Sequence, residues 1–405
     1  MAEEEQDSHF LKSVTSLGDE RKIVASEDIY SQSGIKLASA GTSIDSSFYD
    51  RLVKHKLKSG LESCMSVEGA LSASEIAADV KRATRSEFSA MENLVDMSLV
   101  WSSISRVHLN DALAFKLTVA KEKRPDIYEH TLRIVLLSLY LGIMEKMNES
   151  KLVQVAAAAL FHDIGELHID PGIIGKSGPL TQEEHRHIYA HPMTAYVILK
   201  EYPEYHPEVS TAVLQHHELL DGSGYPAGIT GRKISRIGKI LSAAEMTGGL
   251  LSRSRPDISL KFNKDRLQIE LVGHLSELLR KRRVEAHPAE SIAEMNAKLA
   301  ELSGALAKWK GGQSPMLRIA DQRVRELLLS LYDAGFNPDS TGWLTCGIEG
   351  NEEAILDVEA LLDETAWQLG SLSREILRLW PEAEKSEEAR MIMDWIGECS
   401  KILEK

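Results

Sequence analysis

The sequence predicts a mainly α-helical protein: a helical bundle, with a small α+β unit before it and a helical extension after it. Three observations carry this reading. From Ser72 onward, apolar residues recur at threes and fours rather than in alternation, the helical period. Strand-like runs with tight-turn residues are confined to 21–66. Nine of the fourteen histidines fall between His130 and His217, in a stretch that otherwise reads as buried helix.

Residues 1–20 are polar and read as a mobile N-terminus. In 21–66, Lys22–Ala25 and Ile35–Leu37 are short strand candidates, and Ser33-Gly34 and Ala40-Gly41 are turn candidates. Ser43–Leu57 follows as a helix candidate, which completes the small α+β unit. Ser72-Ala-Ser-Glu75 has the form of a capping box. Ile76, Val80, Ala83, Phe88, Met91, Leu94, Met97 and Leu99 then predict a long helix or helix pair to about Lys121. This 72–121 stretch is expected to connect, or to pack a homodimer. The bundle core is placed at 122–260. In 261–405 the helix candidates are Leu267–Arg282, Ile292–Trp309, Ile319–Tyr332, Ala354–Trp367 and Glu388–Ile402. Breaks are expected at Gly311-Gly312 and Pro338–Gly342.

Composition narrows the function classes. Against 47 Lys+Arg stand 61 Asp+Glu, a net charge of −14, which repels phosphate backbones and argues against nucleic acid as a partner. The 43% apolar and 27% charged fractions are those of an ordinary globular chain. Cys64, Cys346 and Cys399 are scattered and form no metal or disulfide pattern. The acidic start MAEEEQDSHF has no apolar signal-peptide core. The longest apolar stretch, Ile134–Met144, is interrupted by Ser138 and Gly142 and is about half of the roughly 20 residues a membrane-spanning helix needs. A cytoplasmic protein without a membrane span is expected.

The chemistry is concentrated in 125–255. His162-Asp163 closes the apolar, Ala-rich run Val153–Phe161, so an imidazole and a carboxylate face the core together, a donor pair suited to Fe, Mn, Ni or Zn. His130 and Asp126 are four residues apart and share a helix face. Asp126 reads equally well as a salt-bridged surface acid. His191 ends a helical stretch before Pro192, where its side chain can project into a cleft. His185, His187 and His206 read as surface, packing or loop residues. His216-His217-Glu218 puts adjacent imidazoles about 100° apart on a helix, able to straddle one ion or reach two. The next segment, Asp221-Gly-Ser-Gly-Tyr-Pro226, is a Gly/Pro-dense turn that brings backbone N–H groups close to a ligand.

His162-Asp163-Ile-Gly165, Lys176-Ser-Gly-Pro-Leu180-Thr181, His191-Pro192, His216-His217-Glu218 and Asp221–Pro226 together resemble the HD-GYP subfamily of HD-domain phosphohydrolases, in order and in spacing. The resemblance covers about 125–260. It implies an all-helical domain with two or three divalent ions, often iron or manganese, and hydrolysis of cyclic di-GMP to the linear dinucleotide or GMP. It assigns His130, His162 and Asp163 to one metal. Asp163 bridges to a second, held by His191, His216 and His217. Glu245, in Ala243-Ala244-Glu245, stands where the family has an Asp ligand. Asp126 stands where some members have the Glu of a third site. Glu218 is the expected partner that orients the histidines. Lys176, Tyr225 and Arg255 are the expected substrate contacts, and the Gly-Tyr-Pro turn and the C-terminal helices the expected protein-binding surfaces.

The sequence also departs from the family. A Lys thought to assist at the scissile phosphate is replaced by Glu166, an anion in place of a cation. A second acid is replaced by Gly248. Arg255-Pro256-Asp257-Ile258 lacks the family's second basic group. Asp163, Glu166 and Lys176 are the candidate catalytic groups. Three readings follow: an active cyclic di-GMP phosphodiesterase, a non-catalytic effector that binds cyclic di-GMP or a protein, and an HD phosphohydrolase of another nucleotide.

Overall fold

A computed structural model describes residues 2–176, 180–253, 255–281, 291–333, 351–380 and 386–403. The Ser177–Pro179 part of the Lys176 motif, Cys346 and the break expected at Pro338–Gly342 lie outside the described residues. The chain forms two compact units that meet in sequence at Gly248 and Gly249. The division therefore falls earlier than the 260/261 boundary expected from sequence.

The first unit begins with α1 (Ala2–Gly18). This corrects the expected mobile N-terminus. Phe10, Leu11, Val14 and Leu17 are buried along one face of α1. The α+β unit follows. β1 (Ile23–Ala25) pairs in antiparallel register with β4 (Met65–Val67), Val24 opposite Ser66; β2 (Ile29–Tyr30) pairs with β3 (Lys36–Ala38). Between β3 and β4 lie the short helices α2 (Tyr49–Leu52) and α3 (Leu61–Cys64). Two-stranded pairs are marginal on their own; here α1 and α6 (Asp111–Lys123) pack against this region.

The segment expected to be a long connector is three helices, α4 (Ala73–Glu87), α5 (Met97–Ser105) and α6. The Ser72–Glu75 capping box starts α4, and Asp96 and Asn110 cap α5 and α6. All three are built into the unit: Ile76, Val80, Val100, Ile104 and Leu113–Ala120 are buried against α7 (Pro125–Met144) and α8 (Glu149–Phe161). α7 is long and apolar enough to cross a membrane by length and composition, but 72% of its apolar window is buried inside the protein, as in a core helix. α7 and α8 pack side by side, with α9 (Pro171–Ile174), α10 (Gln182–Lys200), α11 (Pro207–Leu214) and α12 (Arg236–Leu250) completing the bundle in chain order.

The second unit holds α13 (Pro256–Phe262), α14 (Ile269–Lys281), α15 (Ile292–Leu306), α16 (Pro315–Asp333), α17 (Glu352–Leu379) and α18 (Glu387–Leu403). The last four share a core of Leu299, Leu302, Val324, Leu331, Leu369, Ile376, Ile392 and Trp395. Arg323 is buried in this core and reaches the Glu375 carboxylate through Nε (2.9 Å) and Nη2 (3.1 Å). Within this unit Glu364, fully buried, accepts from Arg253 and Asn263.

Candidate metal centre

Helix ends build the centre. His162 is the C-cap of α8, and Asp163 is the first residue past it. The tight turn Ile164–His168 then folds the chain back under α10. Gly165 permits this approach, because a Cβ there would stand 2.2 Å from the His191 carbonyl oxygen. His191 lies mid-way along α10, and His216 and His217 follow the end of α11. His130 comes from α7 and Glu245 from α12.

The seven side chains form two groups, Asp163/His191/His216/His217 and His130/His162/Glu245. Asp163 serves both with different oxygens. Its Oδ1 lies 3.4 Å from His191 Nε2 and 3.5 Å from His216 Nε2. Its Oδ2 lies 3.0 Å from His162 Nε2 and 3.5 Å from His130 Nε2. Glu245 Oε2 stands 2.9 Å from His130 Nε2 and 3.4 Å from His162 Nε2.

These residues fit divalent cations. Backbone carbonyls can only accept, so the Nδ1–H groups of His162, His191 and His216 donate to Ala159 (2.8 Å), Ile188 (2.7 Å) and Val213 (2.5 Å). This fixes the tautomer and turns each Nε2 lone pair inward, the usual arrangement of metal-ligating histidine. His191 Nε2 and His216 Nε2 then face each other at 3.1 Å, two lone pairs that repel unless a cation lies beside them. His162 Nε2 and Asp163 Oδ1 are buried without a hydrogen bond. Donors bound at about 2.0–2.2 Å to one ion stand roughly 3.0–3.4 Å apart, close to the separations seen here.

Protonation follows the same logic. Burial lowers the pKa of His191 to about 4, with His216 adding to the shift, and burial holds His217 well below its ordinary value. Both therefore stay neutral and able to ligate at neutral pH. Burial opposes the Asp163 and Glu245 carboxylates, but His162 and His130 overcome it and hold both well below the ordinary range. Burial also opposes the imidazolium at His162 and His130, yet Asp163 and Glu245 raise both. A proton there occupies the place that a metal would take.

The other candidates fall elsewhere. Glu166 lies in the turn after Asp163, Oε1 3.9 Å from His191 Nδ1; burial, then Asp163, raise its pKa to about 8. Asp126 is outside both groups, held by Arg124 at 2.7 Å and 3.0 Å. Lys176 is bound by Glu184, at 2.8 and 2.7 Å, and its hydrogen bond lowers that carboxyl to about 2. Arg255 belongs to the second unit, where its guanidinium binds Asp257 and Asp357. Tyr225 is covered on both faces, stacked on His217 at 4.5 Å and packed on Tyr189 at 4.4 Å. His185 stacks on Tyr189, and His206 caps α11.

The buried Glu218 carboxylate accepts from the N–H groups of Ala227 (2.7 Å) and Ile229 (3.0 Å) and so shapes the Gly-Tyr-Pro turn, while backbone carbonyls orient His162, His191 and His216. Gly248 sits one turn after Glu245, and a Cβ there would stand 3.6 Å from His130 Cε1. The acid that the family carries at this position would thus have bordered His130. Sequence reasoning missed Arg124, although a cation two residues before Asp126 at the start of α7 was a readable signal.

Buried and half-buried histidines and carboxylates in two groups, linked by Asp163, form a candidate site for divalent cations, a donor set of the kind metal-dependent hydrolases use. A family profile described as HD domain matches residues 117–257. This segment carries the HD-domain match, and its likeness to the proteins below supports the HD-GYP type of HD domain that its motifs resemble. It is 30% identical over 138 residues to the 3'3'-cGAMP-specific phosphodiesterase 3 of Vibrio cholerae, covering 34% of this chain and 30% of that protein. To the cyclic di-GMP phosphodiesterase PdeB of Borreliella burgdorferi it is 30% identical over 174 residues, 41% of this chain and 45% of that one. To the cyclic di-GMP phosphodiesterase response regulator RpfG of Xanthomonas campestris pv. campestris it is 34% identical over 117 residues, 29% and 30% of the two chains. The match thus spans less than half of each of these relatives.

Proposed function

We propose that the protein is a cytoplasmic metal-dependent phosphodiesterase that hydrolyses cyclic di-GMP, with two ions of iron or manganese. The observation that carries this reading is the division of Asp163 between two donor groups, Oδ1 toward His191 and His216 and Oδ2 toward His162 and His130. His191, His216 and His217 would hold one ion, and His130, His162 and Glu245 the other, with Asp163 common to both. Divalent ions in such a pair supply an activated water and Lewis acidity toward phosphate oxygens. Water adds to phosphorus, the P–O3' bond breaks, and the 3'-oxygen leaves with a proton. The protein's own part is to hold neutral imidazoles in place through the Ala159, Ile188 and Val213 carbonyls. Tyr225, stacked on His217, fixes the position of that ring.

The test is the full chain reconstituted anaerobically with Fe(II) or Mn(II), incubated with cyclic di-GMP and 3'3'-cGAMP, the products resolved by chromatography. Cyclic di-GMP is expected to be consumed, and Asp163→Asn to abolish turnover. Bound metal without product from either nucleotide refutes the reading. A second reading, a binding effector with little turnover, is favoured by the engagement of Lys176 with Glu184 and of Arg255 with Asp257 and Asp357. Calorimetry showing tight cyclic di-GMP binding without hydrolysis selects it.

A further inference from the structure

The phosphate cation that the family carries after its HD motif is Glu166 here, and Lys176 is engaged by Glu184. Another cation stands at the start of the helix that carries His130. Arg124 is the N-cap of α7, and its side chain is only 8% exposed. Its Nε lies 3.0 and 3.2 Å from the two Asp126 oxygens, and its Nη2 lies 2.7 Å from Oδ2. The remaining nitrogen, Nη1, makes no hydrogen bond among the described residues. Asp126 is four residues before His130, so the clamp lies one helical turn above a candidate ligand on the same face of α7.

We propose that Arg124, clamped by Asp126, is the substrate-phosphate cation of this chain and that Asp126 is its positioning residue rather than the ligand of a third metal. The proposal rests on the phosphodiesterase reading above. The chemistry fits. A guanidinium with two nitrogens held by a carboxylate keeps its plane fixed and still offers Nη1–H to a phosphate oxygen. A third ion would have to compete with Arg124 for the Asp126 carboxylate, which is itself exposed to solvent.

The experiment uses the full chain loaded with Mn(II), with Arg124→Gln, Arg124→Lys and Asp126→Asn as variants. Metal content is measured by mass spectrometry, inorganic phosphate affinity by calorimetry, and KM and kcat with cyclic di-GMP. Arg124→Gln is expected to weaken phosphate binding and raise KM by about tenfold or more, with metal content unchanged. Arg124→Lys should recover only part of this, because an ammonium lacks the fork that Asp126 grips. Asp126→Asn should lower phosphate affinity while the metal-to-protein ratio stays at the parent value. The proposal is overturned if Arg124→Gln binds phosphate within twofold of the parent, or if Asp126→Asn loses one metal per chain. If the parent hydrolyses no cyclic dinucleotide, the phosphodiesterase reading fails, while phosphate binding and metal content still decide the role of Arg124.

Discussion

Gly165 shows how little room the centre leaves. A Cβ there would press on the His191 carbonyl oxygen at 2.2 Å and on the Ala195 nitrogen at 3.1 Å, both backbone atoms of α10. Gly165→Ala must therefore push the Asp163 turn away from α10. We expect a loss of about 1–3 kcal/mol in the metal-free protein by urea unfolding, together with weaker metal binding at His191. Glu218 makes a second residue-scale prediction. Its carboxylate receives two backbone N–H groups of the Gly-Tyr-Pro turn, and charge-assisted bonds of this kind contribute about 1.5–3 kcal/mol each. Glu218→Ala should release the turn and loosen Tyr225 from His217, read as faster amide exchange at Ala227 and Ile229. Five of the seven candidate donors were legible because they stand in short local patterns: His162-Asp163, His191-Pro192, His216-His217. What Glu218, Lys176 and Asp126 do was less legible. Their partners, the turn N–H groups, Glu184 and Arg124, are chosen by rotamer and by fold, which spacing does not encode.

At the scale of elements, the N-terminal α+β segment is tied into the bundle by one buried cation. Lys116 of α6 is fully buried, with Nζ 3.1 Å from Glu62 of α3 and 3.1 Å from His168 of the turn after Asp163. It also sits 4.0 Å above the Phe10 ring of α1. Removing one partner of a buried pair costs about 3–5 kcal/mol, because the other charge remains unpaired. Lys116→Met is expected to lose that much by urea unfolding, and the double variant with Glu62→Gln to recover most of it. The pair also sets a pH dependence. Burial opposes the Glu62 carboxylate, yet Lys116 overcomes it and holds the pKa below the ordinary 4.5. A depressed folded pKa gives stability that is complete above about pH 4.5 and is lost as pH falls through the folded value. Acid unfolding of the parent should therefore be steeper below pH 4.5 than that of Glu62→Gln. This tie explains why the first 120 residues were read poorly. The polar start of α1 hides the spacing of Phe10, Val14 and Leu17, and an amphipathic run such as 72–121 reads the same whether its partner is a second chain or the bundle itself. The helices of the second unit were legible because their apolar stripes are long and regular, as in α16 and α18.

At the scale of the molecule, a chain of net charge −14 proposed to take a doubly phosphorylated substrate needs cations where the phosphates sit. The centre itself is rich in acid, with Asp163, Glu166 and Glu245 close together. Two divalent ions would add four positive charges that the composition does not count. The protein should consequently bind cyclic di-GMP only as its metal form, and Arg124 alone should not suffice. Titrating a chelator into the metal-loaded protein is expected to remove cyclic di-GMP binding in step with metal loss, followed by fluorescence of a labelled nucleotide. Stability should fall with it, because an ion that binds only the folded state at 100 times its Kd contributes about 2.7 kcal/mol. The donors all lie before Gly249, and the helices after it have a core of their own. Calorimetric unfolding should therefore show the transition of the first unit moving down on chelation while that of the second stays in place. Nucleotide binding that survives complete metal removal would mean that side-chain cations, not ions, neutralise the phosphates, and would overturn the metal-dependent reading of the site.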